Sequence, residues 1–301
     1  MIITSSLPTK TLSTTEIYQL CDCPVEFQTE KLGIKSRHIL DETEKAFDLA
    51  VNACKKLFNT HTVHREDIDC LLYVTQTPEK QIPQNSSLLQ HALELPASLF
   101  ALDISLGCSG YVYGLSVAKS LMQTFSFKNT LLVTCDCYSK IIDKNDKNTM
   151  AIFGDAATVT YLNNPNTIGI ADFGTNGKNA QAIMLDENKI LRMNGRAVFE
   201  FALKTVKKSV FECLKKNNLS LNEIDYFVFH QANKFMLENI ALTLSIPKEK
   251  LIIDLENYAN TISSSIPLAL ENLLPQLKEP KKILASGFGV GLSWATTILY
   301  L

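Results

Sequence analysis

The stretch Leu131-Leu132-Val133-Thr134 has a counterpart in Ile283-Leu284-Ala285-Ser286, which lies 152 positions further along the chain. The same distance separates Cys108 from Asn260, and each of these two residues stands before an apolar, helix-like segment. A fixed spacing between similar segments is typical of an internal duplication. The sequence therefore predicts two related α/β halves, with Cys108 and Asn260 at equivalent positions.

The order of predicted elements supports two halves, which we place at residues 1–165 and 166–301. Alternating helices and strands are typical of sheets that are covered by helices. Residues 138–195 interrupt the repeat and are rich in Asn, Lys and Gly, so we expect loops that partly cap a site. Helices are predicted at about 43–58, 84–93, 111–122, 196–216 and 234–244 and after Asn260, and strands at 68–75, 99–104, 130–135, 156–162, 226–229, 251–254, 283–286 and 293–300.

Composition restricts the class of protein. The chain has 301 residues, of which 46% are hydrophobic, so it can bury a large core. A formal net charge of −2 provides no positive field for nucleic acid or an anionic membrane. No apolar run reaches the roughly 18 to 20 residues that span a bilayer, and residues 1–20 lack the features of a signal peptide. We therefore expect a cytoplasmic protein with reduced cysteines and neither a nucleic-acid nor a membrane partner.

The eight cysteines do not have the spacing of a zinc site. Cys21 and Cys23 form a C-x-C pair, which lacks the C-x₂-C spacing of structural zinc sites. His61 and His64 lie in a polar connection that reads as a solvated loop. We therefore expect no metal site. The cysteines on apolar faces of predicted helices and strands are typical core residues: Cys54, Cys70, Cys135 and Cys213.

Cys108 is the exception among these cysteines. The run Asp103–Gly110 reads as a strand end that passes through a tight turn into an apolar helix. A cysteine at a helix N-terminus gains from the helix dipole and free N–H groups, which favour the nucleophilic thiolate. Gly107 and Gly110 allow close approach of the backbone. This segment alone is equally compatible with a small buried residue in a central helix.

Two polar side chains in the second half are candidates to act with Cys108. His230 follows a buried strand, where α/β folds place functional groups, although a structural histidine is also common there. Asn260 lies in a run of small polar residues and could instead cap the following helix. An imidazole and an amide are the neutral donors that a thioester carbonyl requires when negative charge develops on its oxygen.

The glycine-rich run Gly287-Phe288-Gly289-Val290-Gly291 could suggest a dinucleotide site. Only ten residues follow Gly291, and they read as a strand, so the phosphate-binding helix is missing. We interpret the run as a hairpin whose exposed backbone N–H groups form half of an oxyanion hole.

Four segments together resemble the β-ketoacyl-acyl-carrier-protein synthase III family of thiolase-fold condensing enzymes. They are Leu106–Gly110, His230–Asn233, Ala259–Thr261 and Gly289–Gly291, in the order and spacing of that family. The likeness covers nearly the whole chain, and the chain is identified as a divergent member. The resemblance implies a five-layered αβαβα fold, a homodimer, and no metal or redox cofactor.

The resemblance also implies a reaction. Cys108 would take an acyl group from an acyl-CoA, and the backbone N–H groups of Cys108 and Val290 would bind the oxyanion. His230 and Asn260 would bind the carbonyl of a malonyl donor, expected to be malonyl-acyl carrier protein, while it loses CO₂. The product of this decarboxylating Claisen condensation would be a β-ketoacyl thioester for fatty-acid initiation or for a specialised lipid or polyketide pathway.

The resemblance also implies substrate contacts at matching positions of this chain. The family's common CoA-binding positions hold Phe27, Lys31 and Lys147 in place of its Trp and Arg residues; Phe27 can still stack on adenine, and the lysines can meet phosphates without bidentate geometry. The remaining candidates comprise three acyl-pocket residues and two residues of the second half: Ile82, Met193 and Phe199, and Ala232 and Lys234.

Several residues depart from the family pattern. Ala259 replaces the usual Gly before Asn260, and Val290 replaces the middle Gly of the turn, so both add bulk near the site. We hypothesise a specialised synthase that primes an unusual acyl chain. Positions that are usually basic on the carrier-protein face are occupied here by other residues: Glu200, Phe235, Leu242 and Thr243.

Two alternatives remain from the sequence. A non-condensing acyltransferase would use Cys108 and His230 to pass an acyl group to an amine or hydroxyl, but that reaction does not need Asn260. A catalytically silent paralogue would not need the complete Cys-His-Asn set. We therefore favour condensation.

Overall fold

The computed structural model describes all of residues 1–301 and contains thirteen strands and eight α-helices. The strands are β1 (Ile2–Ser6), β2 (Thr11–Ser13), β3 (Ser36–His38), β4 (Cys70–Val74), β5 (Phe100–Ile104), β6 (Thr130–Asp136), β7 (Ala156–Leu162), β8 (Asp172–Thr175), β9 (Ile183–Leu185), β10 (Leu191–Met193), β11 (Tyr226–Phe229), β12 (Lys282–Gly289) and β13 (Ser293–Tyr300). The helices are α1 (Thr14–Cys21), α2 (Ala46–Thr60), α3 (Asn85–Ala92), α4 (Gly110–Phe125), α5 (Lys147–Met150), α6 (Gly195–Lys216), α7 (Lys234–Leu244) and α8 (Ser265–Leu273).

The first sheet has the strand order β1-β7-β6-β4-β5. Strands β5, β4 and β6 run parallel, whereas β7 and β1 are antiparallel to their neighbours. Every residue of β4 and β6 is buried. Such continuous burial is typical of central strands that have helices on both faces of the sheet.

The second sheet repeats this arrangement in the order β11-β12-β13-β8. Its parallel pair β11–β12 corresponds to β4–β6, and β13 and β8 follow antiparallel, as β7 and β1 do. The strand order therefore supports the duplication inferred from the sequence. The predicted boundary between residues 165 and 166 falls between β7 and β8.

Two helices lie between the sheets, and other helices cover both outer faces, so the fold has three layers of helix. Apolar residues of α4 and α8 form one core with both sheets. Helices α2 and α3 cover the outer face of the first sheet, and α6 and α7 cover the outer face of the second. The five-layered αβαβα architecture predicted from the sequence is confirmed. None of the helices combines the length and apolar character needed to cross a membrane.

The prediction of a strand at residues 251–254 is wrong. Leu251 forms a single bridge to Phe227, and no longer ladder follows. The reason is that the Gln231 side chain binds the backbone here instead of a neighbouring strand. Its amide nitrogen donates to the Ile252 carbonyl and its oxygen accepts the Asp254 N–H.

Each of the two helices expected at the site follows a turn, and α4 starts within one residue of the predicted position 111. Helix α4 begins at Gly110, so Cys108 lies in the turn before it. After Asn260, a short 3₁₀ turn at residues 262–264 precedes α8. This delay of α8 follows from the backbone of Ala259 and Ile262, whose φ angles of 59° and 52° lie in the left-handed region and cannot continue a right-handed helix. The region 138–195 is mostly loops, as predicted, but it also contributes β8 to the second sheet.

Candidate active site

Cys108 lies between β5 and α4, where the chain leaves the first sheet. Its side chain is buried, and its backbone N–H has no acceptor within the protein. The backbone N–H of Val290, in the turn between β12 and β13, is also without an acceptor. Two free N–H groups beside a nucleophile are the parts of an oxyanion hole.

Glycines of β12 bring the second half of the chain against the nucleophile. A Cβ atom at Gly287 would lie 2.6 Å from the carbonyl oxygen of Cys108. A Cβ atom at Gly289 would lie 3.0 Å from the Cys108 Sγ. The Gly-rich run is thus a hairpin, as predicted, and its glycines are required because the Cys108 turn packs directly on this strand.

His230 follows β11 and is held from two sides. Its backbone N–H donates to the Ser286 carbonyl of β12 at 2.8 Å. Its Nδ1 lies 2.7 Å from the Ser265 Oγ, and its ring and the Phe288 ring form an edge-to-face pair with a centroid separation of 5.6 Å. Burial lowers the pKa of His230 to about 3, so the imidazole is neutral near pH 7.

Asn260 is fixed by its backbone to the first half of the chain. Its N–H donates to the Ile152 carbonyl, and its carbonyl accepts the Gly154 N–H, each at 3.0 Å. Its Oδ1 accepts the Ile262 N–H at 3.0 Å. The amide NH₂ is therefore the end of the side chain that can donate to a substrate.

The three predicted residues Cys108, His230 and Asn260 line one cavity of about 90 Å³. The sequence prediction that distant segments bring a thiol, an imidazole and an amide together is therefore met by the structure. Val290 lines the same cavity. So do two of the predicted substrate contacts, Met193 and Ala232.

The other predicted substrate contacts lie outside this cavity. Ile82 is 88% exposed and is not among the residues of this chain that line the cavity, so its place in the acyl pocket stays a prediction. Phe199 is also outside, because its ring stacks on Phe235 of α7 with centroids 5.4 Å apart. The three candidates for binding CoA, Phe27, Lys31 and Lys147, are exposed, and Lys234, the remaining substrate candidate, is partly buried.

Burial determines the resting state of the nucleophile. It raises the pKa of the Cys108 thiol, and the nearby Asp136 carboxylate raises it further. Both effects favour the thiol and oppose the thiolate that the helix N-terminus was expected to stabilise.

Asp136 is a polar residue of the site that the sequence interpretation missed. It is fully buried at the end of β6, and its carboxylate accepts hydrogen bonds from the Gln76 N–H and the Ser263 hydroxyl. Burial raises its pKa to about 6. The sequence did contain a signal for Asp136, because this carboxylate directly follows the apolar strand Leu131–Cys135. Open α/β sheets bind ligands at the carboxyl ends of their strands.

Two aromatic residues of the cavity were also missed. Tyr138 and Phe153 line it with their ring centroids 5.1 Å apart. The Tyr138 hydroxyl donates to the Gln76 Oε1 at 2.8 Å. Nothing in the residue types distinguishes these aromatics from ordinary core residues, since both are buried.

Sequence comparison gives two matches to family models. Residues 102–177 match the model for 3-oxoacyl-[acyl-carrier-protein (ACP)] synthase III, and residues 214–301 match the model for the C-terminal part of the same enzyme. The chain is 33% identical over 298 residues to β-ketoacyl-[acyl-carrier-protein] synthase III 1 of Bacillus anthracis, which covers 97% of this chain and 95% of the relative.

Solved structures give the same result. A crystal structure of a 3-oxoacyl-(acyl-carrier-protein) synthase III superimposes with a TM-score of 0.94 at 35% identity, covering 99% of this chain and 98% of the other. The priming β-ketosynthase from the R1128 polyketide biosynthetic pathway superimposes with a TM-score of 0.92 at 26% identity, covering 99% and 95% of the two chains.

Proposed function

Because this chain belongs to the 3-oxoacyl-[acyl-carrier-protein] synthase III family, we propose that it catalyses the decarboxylating condensation of an acyl thioester with a malonyl thioester. It is a condensing enzyme and a transferase. The observation that carries this proposal is the single cavity in which Cys108, His230 and Asn260 meet beside two free backbone N–H groups.

In the first half-reaction, the Cys108 sulfur attacks the carbonyl carbon of an acyl-CoA. Negative charge develops on the carbonyl oxygen, and the N–H groups of Cys108 and Val290 would bind it. Collapse of the tetrahedral intermediate breaks the bond to CoA and leaves the acyl group on Cys108, and the departing CoA sulfur takes up the proton that the Cys108 thiol has lost. Fixed N–H donors in a buried cavity are effective here because they need no reorganisation as the charge forms.

In the second half-reaction, a malonyl thioester enters the same cavity. The Asn260 NH₂ can donate to its thioester carbonyl, because the Oδ1 of that amide is already bonded to Ile262. Loss of CO₂ leaves a carbanion stabilised as an enolate. The carbanion attacks the acyl carbon on Cys108, the sulfur leaves, and a β-ketoacyl thioester is released.

We propose acyl-CoA as the primer and acyl carrier protein as the carrier of the malonyl group. Lys31 and Lys147 are exposed and could meet CoA phosphates, and Phe27, 48% exposed, could stack on the adenine. Helix α7 would offer a carrier an apolar face, since Phe235 is exposed and Leu242 is 78% exposed. A nucleophilic thiol acts in a reducing compartment, so we place the reaction in the cytoplasm.

We also propose a homodimer that pairs through the free edge of the first sheet. Strand β5 is at that edge, and Leu102 in its centre is 39% exposed. The rings of Phe100, Phe125 and Phe127 cluster beside it with centroids 5.4 to 6.4 Å apart. An exposed apolar edge strand is a template for pairing with a second chain.

The acyl specificity is proposed to be specialised. Val290 lines the cavity and Ala259 is buried directly before Asn260, so both occupy space that Gly would leave free. We propose that these two departures reshape the site for an unusual primer in place of the acetyl group. Rapid and selective use of acetyl-CoA with malonyl-acyl carrier protein would contradict this specialisation without affecting the condensation itself.

One assay tests the proposed function. The purified chain is incubated with a panel of acyl-CoAs, and mass spectrometry locates any acyl group on the Cys108 peptide. A malonyl thioester is then added and released CO₂ is measured, with Cys108→Ala as the control. Condensation predicts acylation at Cys108 followed by CO₂ release. Acylation with transfer to an amine or hydroxyl and no CO₂ would contradict it, as would the absence of acylation by any donor.

A further inference from the structure

The tripeptide Cys-Asp-Cys occurs twice in the chain. The first pair of cysteines, Cys21 and Cys23, lies at the end of α1, and the second pair, Cys135 and Cys137, lies at the end of β6. All four are free, buried thiols. The two pairs have the same spacing and the same residue between them, so any difference in reactivity must come from the backbone and the surroundings.

The backbone at the first pair is suited to a disulfide. Asp22 has a φ of 53° and a ψ of 34°, close to a left-handed helix. Helix dimensions place Cα atoms two residues apart at about 5.4 Å, near the usual separation in a disulfide. Asp136 ends β6, and an extended residue separates its neighbours by about 6.6 Å, near the upper limit for a disulfide. Asp22 is exposed whereas Asp136 is fully buried, so an oxidant from solvent reaches the first pair more readily.

A buried arginine lies beside the first pair. The Arg37 side chain is fully buried, and burial lowers its pKa to about 10, so it is charged near pH 7. No carboxylate forms an ion pair with it, and its Nε has no hydrogen-bond partner. The ionisable groups that act on its charge are the thiols of Cys21 and Cys23. A buried charge without a counter-ion is costly, so Arg37 favours a thiolate in the first pair.

The second pair has no such cation. Burial is the largest influence on the pKa of Cys21 and of Cys23 and raises both, but the Arg37 charge acts against it. The pKa of Cys137 is raised by its hydrogen bond with Cys135 and by burial, and no positive charge opposes them. Because the thiolate is the form that reacts, the first pair is the more reactive of the two.

We propose that Cys21 and Cys23 are an oxidation site at which a hydroperoxide, such as hydrogen peroxide, forms a disulfide. One sulfur attacks a peroxide oxygen, so an S–O bond forms, the O–O bond breaks and water leaves. The second sulfur attacks the resulting sulfenic acid, so the S–S bond forms, the S–O bond breaks and a second water leaves. The two thiols are oxidised, the peroxide is reduced, and the two thiol protons end in the two waters.

Gln28 connects this site to residues proposed to bind CoA. Its Nε2 donates to the Cys23 carbonyl at 2.8 Å, and it lies on a short helical segment, residues 27–32, that also carries Phe27 and Lys31. A disulfide between residues two apart closes a small ring, so the Cys23 backbone must adjust to it, and Gln28 with it. Oxidation therefore displaces Phe27 and Lys31 and weakens binding of the CoA end of the substrate. This consequence rests on the proposed use of acyl-CoA.

A single digest of the wild-type protein compares the two pairs. Trypsin releases residues 11–31 and 129–140 as separate peptides, and each contains one Cys-Asp-Cys and no other cysteine. The protein is treated with hydrogen peroxide and denatured, its remaining thiols are alkylated, and both peptides are analysed by mass spectrometry. We expect the first peptide to lose two hydrogens and to resist alkylation until dithiothreitol is added, while the second is fully alkylated. Full alkylation of the first peptide, or an equally fast disulfide in the second, would overturn the proposed site.

Calorimetry with acetyl-CoA measures the consequence for CoA binding. Cys108→Ala removes the nucleophile, and acetyl-CoA has no free thiol that could reduce the disulfide. Peroxide should raise the Kd of this variant about threefold to tenfold, the scale of one lost aromatic contact, and dithiothreitol should restore it. The matched control is the double variant Cys108→Ala and Cys23→Ser, which cannot form the disulfide and should keep its Kd.

The possible failures are distinguishable. An unchanged Kd in a protein whose first peptide contains the disulfide would overturn the effect on CoA binding, as would an equal rise in the Cys23→Ser control. A reduced Cys108→Ala protein that binds no acetyl-CoA would contradict acyl-CoA as the primer and, with it, this effect. The mass of the first peptide decides separately whether Cys21 and Cys23 are an oxidation site.

Discussion

The Asn260 Oδ1 accepts the backbone N–H of Ile262 at 3.0 Å, and this bond fixes which end of the amide faces the substrate. Because the oxygen is occupied, the NH₂ group is free to donate. Ile262, which donates this hydrogen bond, itself has a left-handed φ of 52°.

Gly289→Ala is expected to block acylation of Cys108. The added Cβ would lie 2.9 Å from the Cys108 Cβ and 3.0 Å from its Sγ, so the nucleophile would be displaced or shielded. A displacement of about 1 Å at a reacting atom costs on the order of 100-fold in rate. The measurement is the rate of acyl transfer to Cys108 by mass spectrometry. Gly177→Ala, where a Cβ would meet nothing within 4 Å, is the control. Equal rates in the two variants would show that Gly289 has no such role.

Asp136→Asn is expected to change how the free energy of unfolding depends on pH. Burial raises the pKa of Asp136 to about 6 in the folded chain, above the value of about 4 in the unfolded chain. The folded state therefore binds the proton more tightly, so this group's stabilising contribution is present below about pH 4 and is lost as pH rises through about 6. The loss is on the order of 3 kcal/mol.

Asparagine cannot titrate, so the variant should lack this loss. The measurement is urea unfolding of both proteins at several values between about pH 4 and pH 8. The difference between the two curves isolates Asp136 from the other carboxylates. Parallel curves would mean that Asp136 has the same pKa folded and unfolded.

Leu102→Lys is expected to convert a dimer into a monomer. A lysine in the centre of the exposed edge strand β5 disfavours edge-to-edge pairing. Sedimentation or light scattering gives the mass of each variant. Leu242→Lys introduces the same charge at a more exposed residue on α7 and should leave the dimer intact. A monomeric wild type, or a dimeric Leu102→Lys, would contradict the proposed interface.

Much of the fold could be predicted because the deciding signals are local. The long apolar helix before Phe125 and the buried strands at Thr130 and Ala156 have the expected periodicity and length, and their bounds agree within a few residues. Strand β1 was not predicted, since its short run Ile2–Ser6 becomes a strand only through its pairing with β7. Helix α1 had a readable signal in the Ser13 and Glu16 capping box.

The site was predictable where residue type carries chemistry and less so elsewhere. Cys108, His230 and Asn260 could be named because thiol, imidazole and amide groups followed strand ends or turns. Tyr138 could not be named, because the residue types that line a cavity are the same as those that pack in a core. The exposure of Ile82 could not be predicted either, since apolar character does not specify which way a loop side chain points.

The most direct test of the condensation is the partition between acylation and decarboxylation in Asn260→Ala. In the proposed mechanism, acyl transfer to Cys108 does not use the Asn260 amide, whereas decarboxylation of the malonyl thioester needs its NH₂ donor. We predict near wild-type acylation of Cys108 by acyl-CoA in this variant, together with loss of CO₂ release from a malonyl thioester by about 100-fold or more. Equal loss of both steps, or CO₂ release at the wild-type rate, would contradict the role assigned to Asn260.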